Sequence, residues 1–399
     1  MINQPRNRFN EAFTEEKYQA FVQDLDTSYN HKITFRIAET PVFIPQKLTE
    51  KLIEASNQII DFICQPDFKE ITKNAVPAHL NVPNEDEHTL FLALDYAVCA
   101  DENGELTPQL IEMQGFPSLF GYQDFVANKF REHFDIPQNY THLGSNLTSQ
   151  SYRERMKNVI LGGYNAENVV LLEIEPEKQN TAIDFYVSKD FFDVSAICIS
   201  KVMLEDNKLF YLNNGVKTRI NRIYNRVIFD ELVQRTDLNL SFDLTQNVEV
   251  EWAGHPNWFF RISKYTMPFI QSQYVPHCDF LDKIVDIPQD LENYVLKPLF
   301  SFSGAGVKFH VTESDILEVP ADQKHNFMLQ KKVKYHPVVP DPEGELVKTE
   351  IRLLYVWEKG ERRPKLFINL VRLSRGEMIG VKYNKNKTWV GGTCGFFEK

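Results

Sequence analysis

Three short groups of residues in this chain have types and spacings that could do chemistry. The first lies between Tyr294 and Lys308. A strand delivers Lys297, Pro298 stops its ladder, and Ser301, Ser303, Gly304 and Gly306 follow as a small-residue loop. Glycine lets backbone N–H groups turn toward an anion, and a nearby lysine adds a point charge, so the group suits phosphate. It is neither a Walker A loop nor a dinucleotide fingerprint, and a hairpin with a Gly-rich turn accounts for the same residues. The second group is Asp95, Glu112 and Gln114. Two carboxylates and an amide oxygen make a hard-oxygen set suited to Mg²⁺ beside phosphates. A solvated polar face on an edge hairpin is the alternative. The third group is Glu350, Arg352 and Arg372, on two C-terminal strands. Arginine recognises phosphate or carboxylate with a planar fork, but the outer face of a sheet would also carry such charges.

Local patterns say which elements must position these groups. Thr14 is placed to cap a helix running to Leu25, and apolar residues at Leu48, Leu52, Ile53, Ile59, Ile60 and Ile63 mark an amphipathic helix. Residues 35–44 look extended. Strands are expected over 89–97 and 109–113, joined by a turn at Asp101 to Gly104. Glu112 and Gln114, two apart, then share one face, with Asp95 across from them. Residues 149–160 read as a helix, as do 188–193. Val169 to Glu173 is a buried strand, followed by strands over 196–203 and 208–212. Such alternation predicts an open α/β unit with parallel strands. Further on, 259–270 reads as a helix, 294–298, 307–311 and 327–333 as strands, and 350–357 with 365–372 as a hairpin. The expected class is therefore α/β together with α+β.

Composition excludes several functions. The 399 residues include 44 basic and 55 acidic side chains, a net charge of −11, which disfavours nucleic acid or an anionic membrane as a global partner. No apolar run is long enough for a membrane helix, and the polar first residues lack a signal-peptide core, so cytoplasm is the default. Five dispersed cysteines and ten scattered histidines show no zinc or disulfide spacing. The acidity hides an asymmetry. Residues 294–399 hold 18 basic against 12 acidic side chains, a balance that suits a small polyanion.

Taken in this order, the groups resemble the ATP-grasp superfamily of carboxylate–amine ligases. They are most similar to its circularly permuted, glutathionylspermidine-synthetase-like branch. Ile111-Glu112-Met113-Gln114 comes first, the α/β unit around Val169 to Glu173 second, and the lysines last. Arg222 to Arg226 looks like the segment joining the α/β unit to the nucleotide-binding part. The resemblance covers most of residues 35–395. It implies a permuted ATP-grasp fold with an inserted open α/β unit. The expected units are 1–145 with the metal hairpin, 146–250 on the substrate side, and 251–399 for ATP.

The resemblance also implies roles. Lys264 and Lys297 would bind phosphates, under a flap containing Ser301, Ser303, Gly304 and Gly306. Gln330, Lys331 and Val333 would hold adenine. Asp95, Glu112 and Gln114 would ligate Mg²⁺. Arg372, with Arg352, would stabilise the transferring phosphoryl group. The implied reaction joins a small-molecule or peptide carboxylate to an amine, or to a thiol, through an acyl-phosphate. The sequence departs from the pattern twice: Gln114 stands where asparagine is usual, and Ala93 where an arginine is expected. A phosphotransferase and a nucleotide-binding protein without turnover therefore remain open beside the ligase.

Overall fold

Two hairpins from opposite ends of the chain build the sheet on which the rest is assembled. The computed structural model of the chain describes residues 4–300, 306–376, 379 and 384–399. Strand Phe91–Ala100 pairs on one side with Leu106–Gln114 and on the other with Leu346–Val356. Lys365–Ser374 and then Gly391–Thr393 extend the sheet, and Val339–Pro340 joins Leu346–Val356 at its start. All neighbours are antiparallel. The two central strands are buried on both faces, which explains their nearly continuous apolar runs. Asp95, Glu350 and Arg352 interrupt those runs.

The α/β expectation holds in the middle of the chain. Strands Glu251–Ala253, Arg222–Asn225, Val169–Glu173 and Ser195–Cys198 form a parallel sheet in that order. Val169 and Leu171 enter a core shared with Tyr152, Met156, Phe91 and Leu354. Val170 and Leu172 face a different core containing Ile223 and Trp252. Alternation along one strand thus serves two cores. Helices Ser149–Leu161 and Ala182–Phe192 cover the first face, the former held by a Thr148–Ser151 capping box.

A third sheet positions the lysine of the first group. Its antiparallel order is Cys278–Phe280, Phe327–Lys331, Tyr294–Pro298. Tyr294, Leu296 and Leu329 pack into a small core of their own, so Val295, Lys297 and Gln330 point the other way. Two further three-stranded sheets complete the fold. One ties Val42–Ile44 in parallel to Gly395–Glu398 near the C-terminus, and the other is a meander over 203–220. No described helix is long and apolar enough to cross a membrane.

Several local expectations need correction. The predicted helix over 259–270 is a short helix, Asn257–Arg261, followed by a 3₁₀ helix, Lys264–Phe269. Pro268 lacks the N–H that a continuous α-helix needs, and the Ser263 hydroxyl accepts from Tyr265 N–H, restarting the chain there. The predicted strand over 307–311 shrinks to a single bridge between Leu296 and Lys308. The strand expected over 196–203 is broken by a 3₁₀ turn at Ile199–Lys201, and its second piece belongs to the meander. Over 35–44 only Val42–Ile44 is a strand. The helices at Glu15–Ser28, capped by Thr14, and at Gln46–Ile63 match their patterns.

One close approach holds two site-bearing segments together. Gly115 ends the Leu106–Gln114 strand and donates its N–H to the Ile262 carbonyl, 3.0 Å away, two residues before Lys264. A Cβ at Gly115 would fall 2.5 Å from the Trp258 carbonyl oxygen. Gly115→Ala is therefore expected to lose about 1–3 kcal/mol of stability in urea unfolding. A variant as stable as wild type would show that the contact relaxes freely.

Candidate functional site

The register of the central sheet puts charge opposite charge. Arg352 lies across from Asp95, and Asp95 across from Glu112. Glu350 lies across from Arg372, which in turn faces Gly392. Positions two apart along a strand share a face, so these side chains form one patch. A register shift after Asp95 leaves Ile111 without a partner on the neighbouring strand. Such a bulge re-aims the side chains beside it, and both Ile111 and Glu112 line a cavity of about 930 Å³.

Within the patch the acids and arginines are tied to each other. Arg352 grips Asp95 with two parallel bonds, Nε to Oδ1 and a terminal nitrogen to Oδ2, each 2.6 Å. Arg372 also donates to Asp95 Oδ2, at 2.7 Å, and to Glu350. Tyr335 donates its hydroxyl to the other Glu350 oxygen at 2.8 Å. Asp95 and Glu350 are almost fully buried, at 1% and 3% exposure. Burial raises the Glu350 carboxyl above its usual range, against the pull of Arg372. Burial alone would weaken the Arg372 charge, but Glu350, Asp95 and Glu112 outweigh it, and its proton is held more tightly than usual. The Arg372 Nε has no hydrogen-bond partner among the described residues.

Two lysines meet this patch from other elements. Lys297, on its strand, reaches Ile111 O at 3.4 Å, and burial pushes its ammonium down to about 8 despite Glu112. Lys264, at the start of its 3₁₀ helix, is also depressed by burial, with Glu112 and Asp230 opposing. Burial works to raise Glu112. Lys264, Arg352 and Arg372 overcome it, helped by Gln114, and the carboxyl lies below its usual range. Gln330 lines the same cavity at 1% exposure, with its amide oxygen unpartnered among the described residues. Lys331 and Val333 line it as well.

The cavity thus gathers Lys264, Lys297, Arg352, Arg372, Glu112, Gln330, Lys331 and Val333. Gly306 adopts φ of +72°, and a Cβ there would meet the Pro298 ring at 2.9 Å, so the segment that contains it needs glycine at this point. Ser301, Ser303 and Gly304 lie outside the described residues. As a cage for Mg²⁺, Asp95, Glu112 and Gln114 do not fit. Both Asp95 oxygens are taken by arginines, and Gln114 turns its amide N–H₂ toward Glu112. Of the three, only Glu112 lines the cavity. Among the described residues, no group of three or more His, Cys, Asp or Glu side chains is arranged to hold a metal ion.

Sequence spacing does not single out Tyr335, Tyr122, Gln123 or Arg36, all of which line the cavity. Glu350 was legible only as the third group's companion to Arg352, two residues away on the same face. Its partnership with Arg372 needs the hairpin register. Removing one member of a buried charge group leaves the rest uncompensated. Asp95→Ala should therefore lose about 3–5 kcal/mol in denaturant unfolding. A loss below about 1 kcal/mol would mean that the arginines find water instead.

No protein-family model matches the chain, and no curated protein matches it in sequence. Among solved structures, the chain is similar to a glutathione synthetase-like effector from Globodera pallida, solved in its apo form. The match spans 100% of this chain and 98% of that one, with a TM-score of 0.59 and 11% sequence identity. The chain therefore has a glutathione synthetase-like mixed α/β fold.

Proposed function

We propose that the chain binds ATP on a permuted ATP-grasp fold and uses it to join a carboxylate to an amine. The observation that carries this reading is the convergence of Lys264, Lys297, Arg352 and Arg372 on one cavity, beside a Gln330 amide oxygen with no partner among the described residues. Four cations from three sheets or helices suit a triphosphate, and a buried lone acceptor suits the N–H of a base amine. The two lysines would neutralise phosphate oxygens. Arg372, whose side chain is part exposed where it lines the cavity, would meet the charge that develops on the transferring group. Arg352, clamped on Asp95, would hold that corner of the site rigid.

The proposed chemistry needs no protein nucleophile. A substrate carboxylate oxygen attacks the γ-phosphorus, the bond to ADP breaks, and an acyl-phosphate forms. The amine nitrogen then attacks the acyl carbon, losing a proton as orthophosphate leaves. The protein orients the partners and shields the acyl-phosphate from water. Mg²⁺ would supply further charge neutralisation with the nucleotide, and Glu112 is the carboxylate that could meet it in the cavity. A second reading, a nucleotide-binding protein without turnover, is favoured by the closed ion pairs of Asp95 and by Ala93.

ADP release measured with and without mixed carboxylates and amines separates these readings. Amine-dependent ADP and an amide product support the ligase. ATP binding without any ADP supports the second reading. Lys297→Ala should weaken ATP binding by at least tenfold in calorimetry, and unchanged affinity would remove the lysine from the phosphate site. The pH dependence has a defined sign. Lys297 carries its charge below about pH 8 and loses it above. ATP affinity should therefore fall between pH 7 and pH 9, by up to about tenfold per unit above 8. Lys297→Arg should flatten that fall, because a guanidinium stays charged over the range. An unchanged slope would show that another group governs it.

A further inference from the structure

The sheet that carries Lys297 has a second side, turned away from the cavity. There Tyr294, Leu296, Val311 and Ile316 share the small core. Ile284, Ile287, Leu291 and Val319 pack against it and stay only partly buried. Val285, next to Ile284, is 91% exposed, more than any other large apolar side chain among the described residues. Leu317, next to Ile316, is 62% exposed. One exposed apolar residue needs no explanation. Here two of them border one core whose remaining cover is itself half open.

Charge sets this face apart as well. Residues 279–292 and 311–324 together hold nine acidic side chains against two basic ones. Asp282 pairs with Lys283 at 3.2 Å, and Asp315 with Lys308 at 2.5 Å. Asp286, Asp290, Glu292 and Glu313 form no ion pair among the described residues. Acids and apolar residues are interleaved, as Ile284-Val285-Asp286-Ile287 and as Asp315-Ile316-Leu317-Glu318. A Thr312–Asp315 capping box starts helix Glu313–Leu317 and fixes the second stretch. Such a face repels an anionic membrane and an acidic peptide alike. A cationic amphipathic helix meets both of its features. The apolar stripe covers Val285 and Leu317, and lysines or arginines beside the stripe meet the acids.

We propose that this acidic, apolar face around Val285 and Leu317 docks a cationic amphipathic helix of a partner protein. Lys297 and Gln330 point to the other side of the sheet, so the docking is independent of what the cavity binds.

Fluorescence anisotropy with full-length protein and a labelled lysine–leucine peptide of about four helical turns, its leucines at helical spacing, tests it. The wild type should bind this peptide about tenfold more tightly than one of the same composition with its leucines scrambled, which keeps the charge and loses the stripe. Val285→Ser with Leu317→Ser should weaken binding about tenfold, and so should Asp286→Lys with Glu313→Lys. Glu11→Lys with Glu50→Lys, two exposed acids elsewhere, should leave it unchanged. No binding, or equal affinity of the wild type for the two peptides, overturns the proposal whether or not the variants fold. Equal losses in all three variants overturn it too, because they mean attraction to an acidic protein in general. Light scattering of the protein alone covers the other occupant. Self-association that Val285→Ser with Leu317→Ser abolishes would give the face to a second copy of the chain and overturn the partner reading.

Discussion

The buried lattice of Asp95, Arg352, Arg372 and Glu350 is the interaction on which the site depends. Its four members come from three strands of one sheet, and their pairing requires the register that sheet adopts. A one-residue slip would turn the acids of one strand away from the arginines of the next. The lattice therefore ties the N-terminal hairpin to the C-terminal one chemically as well as through backbone bonds. Buried ion pairs are weak sources of stability because desolvation offsets much of their attraction. Their value here is geometric. Two acids with 1% and 3% exposure hold two guanidinium groups in fixed positions at the edge of a cavity.

That arrangement also sets the character of the neighbouring groups. Cations on three sides keep Glu112 ionised although burial opposes it. Burial makes both lysines hold their protons less tightly than free lysine, although Glu112 opposes it. An anion entering the cavity would strengthen the lysines' charge and meet the exposed part of the Arg372 side chain. The acids differ in task. Asp95 and Glu350 serve the arginines, whereas Glu112 faces the cavity.

Much of the scaffold was legible because it rests on local patterns. The Thr14 cap, the apolar stripe of Gln46–Ile63, the strand Val169–Glu173 and the strand Tyr294–Pro298 follow from spacing and residue type. The helix over 259–270 and the strand over 307–311 failed where local geometry intervened. Pro268 forbids the one, and a single bridge to Leu296 replaces the other. Lys297, Gln330, Arg352 and Arg372 meet at the cavity because they stand on strands whose faces alternate predictably, whereas Lys264 reaches it from the 3₁₀ helix that replaces the expected α-helix.

By itself, the sequence determined the mixed α/β class, the strand that carries Lys297, and the pairing of Asp95 with Glu112 across a hairpin, since each is set by periodicity and turn chemistry within a few residues. Only the tertiary structure decided what Asp95 does. Arg352 and Arg372 lie more than 250 residues away in sequence, and a carboxylate binds whichever cation folding brings nearest. The same holds for Gln330, Tyr122 and Gln123, each with a buried polar atom that has no partner among the described residues. Whether a polar side chain is satisfied depends on every neighbour at once, and those neighbours come from distant parts of the chain.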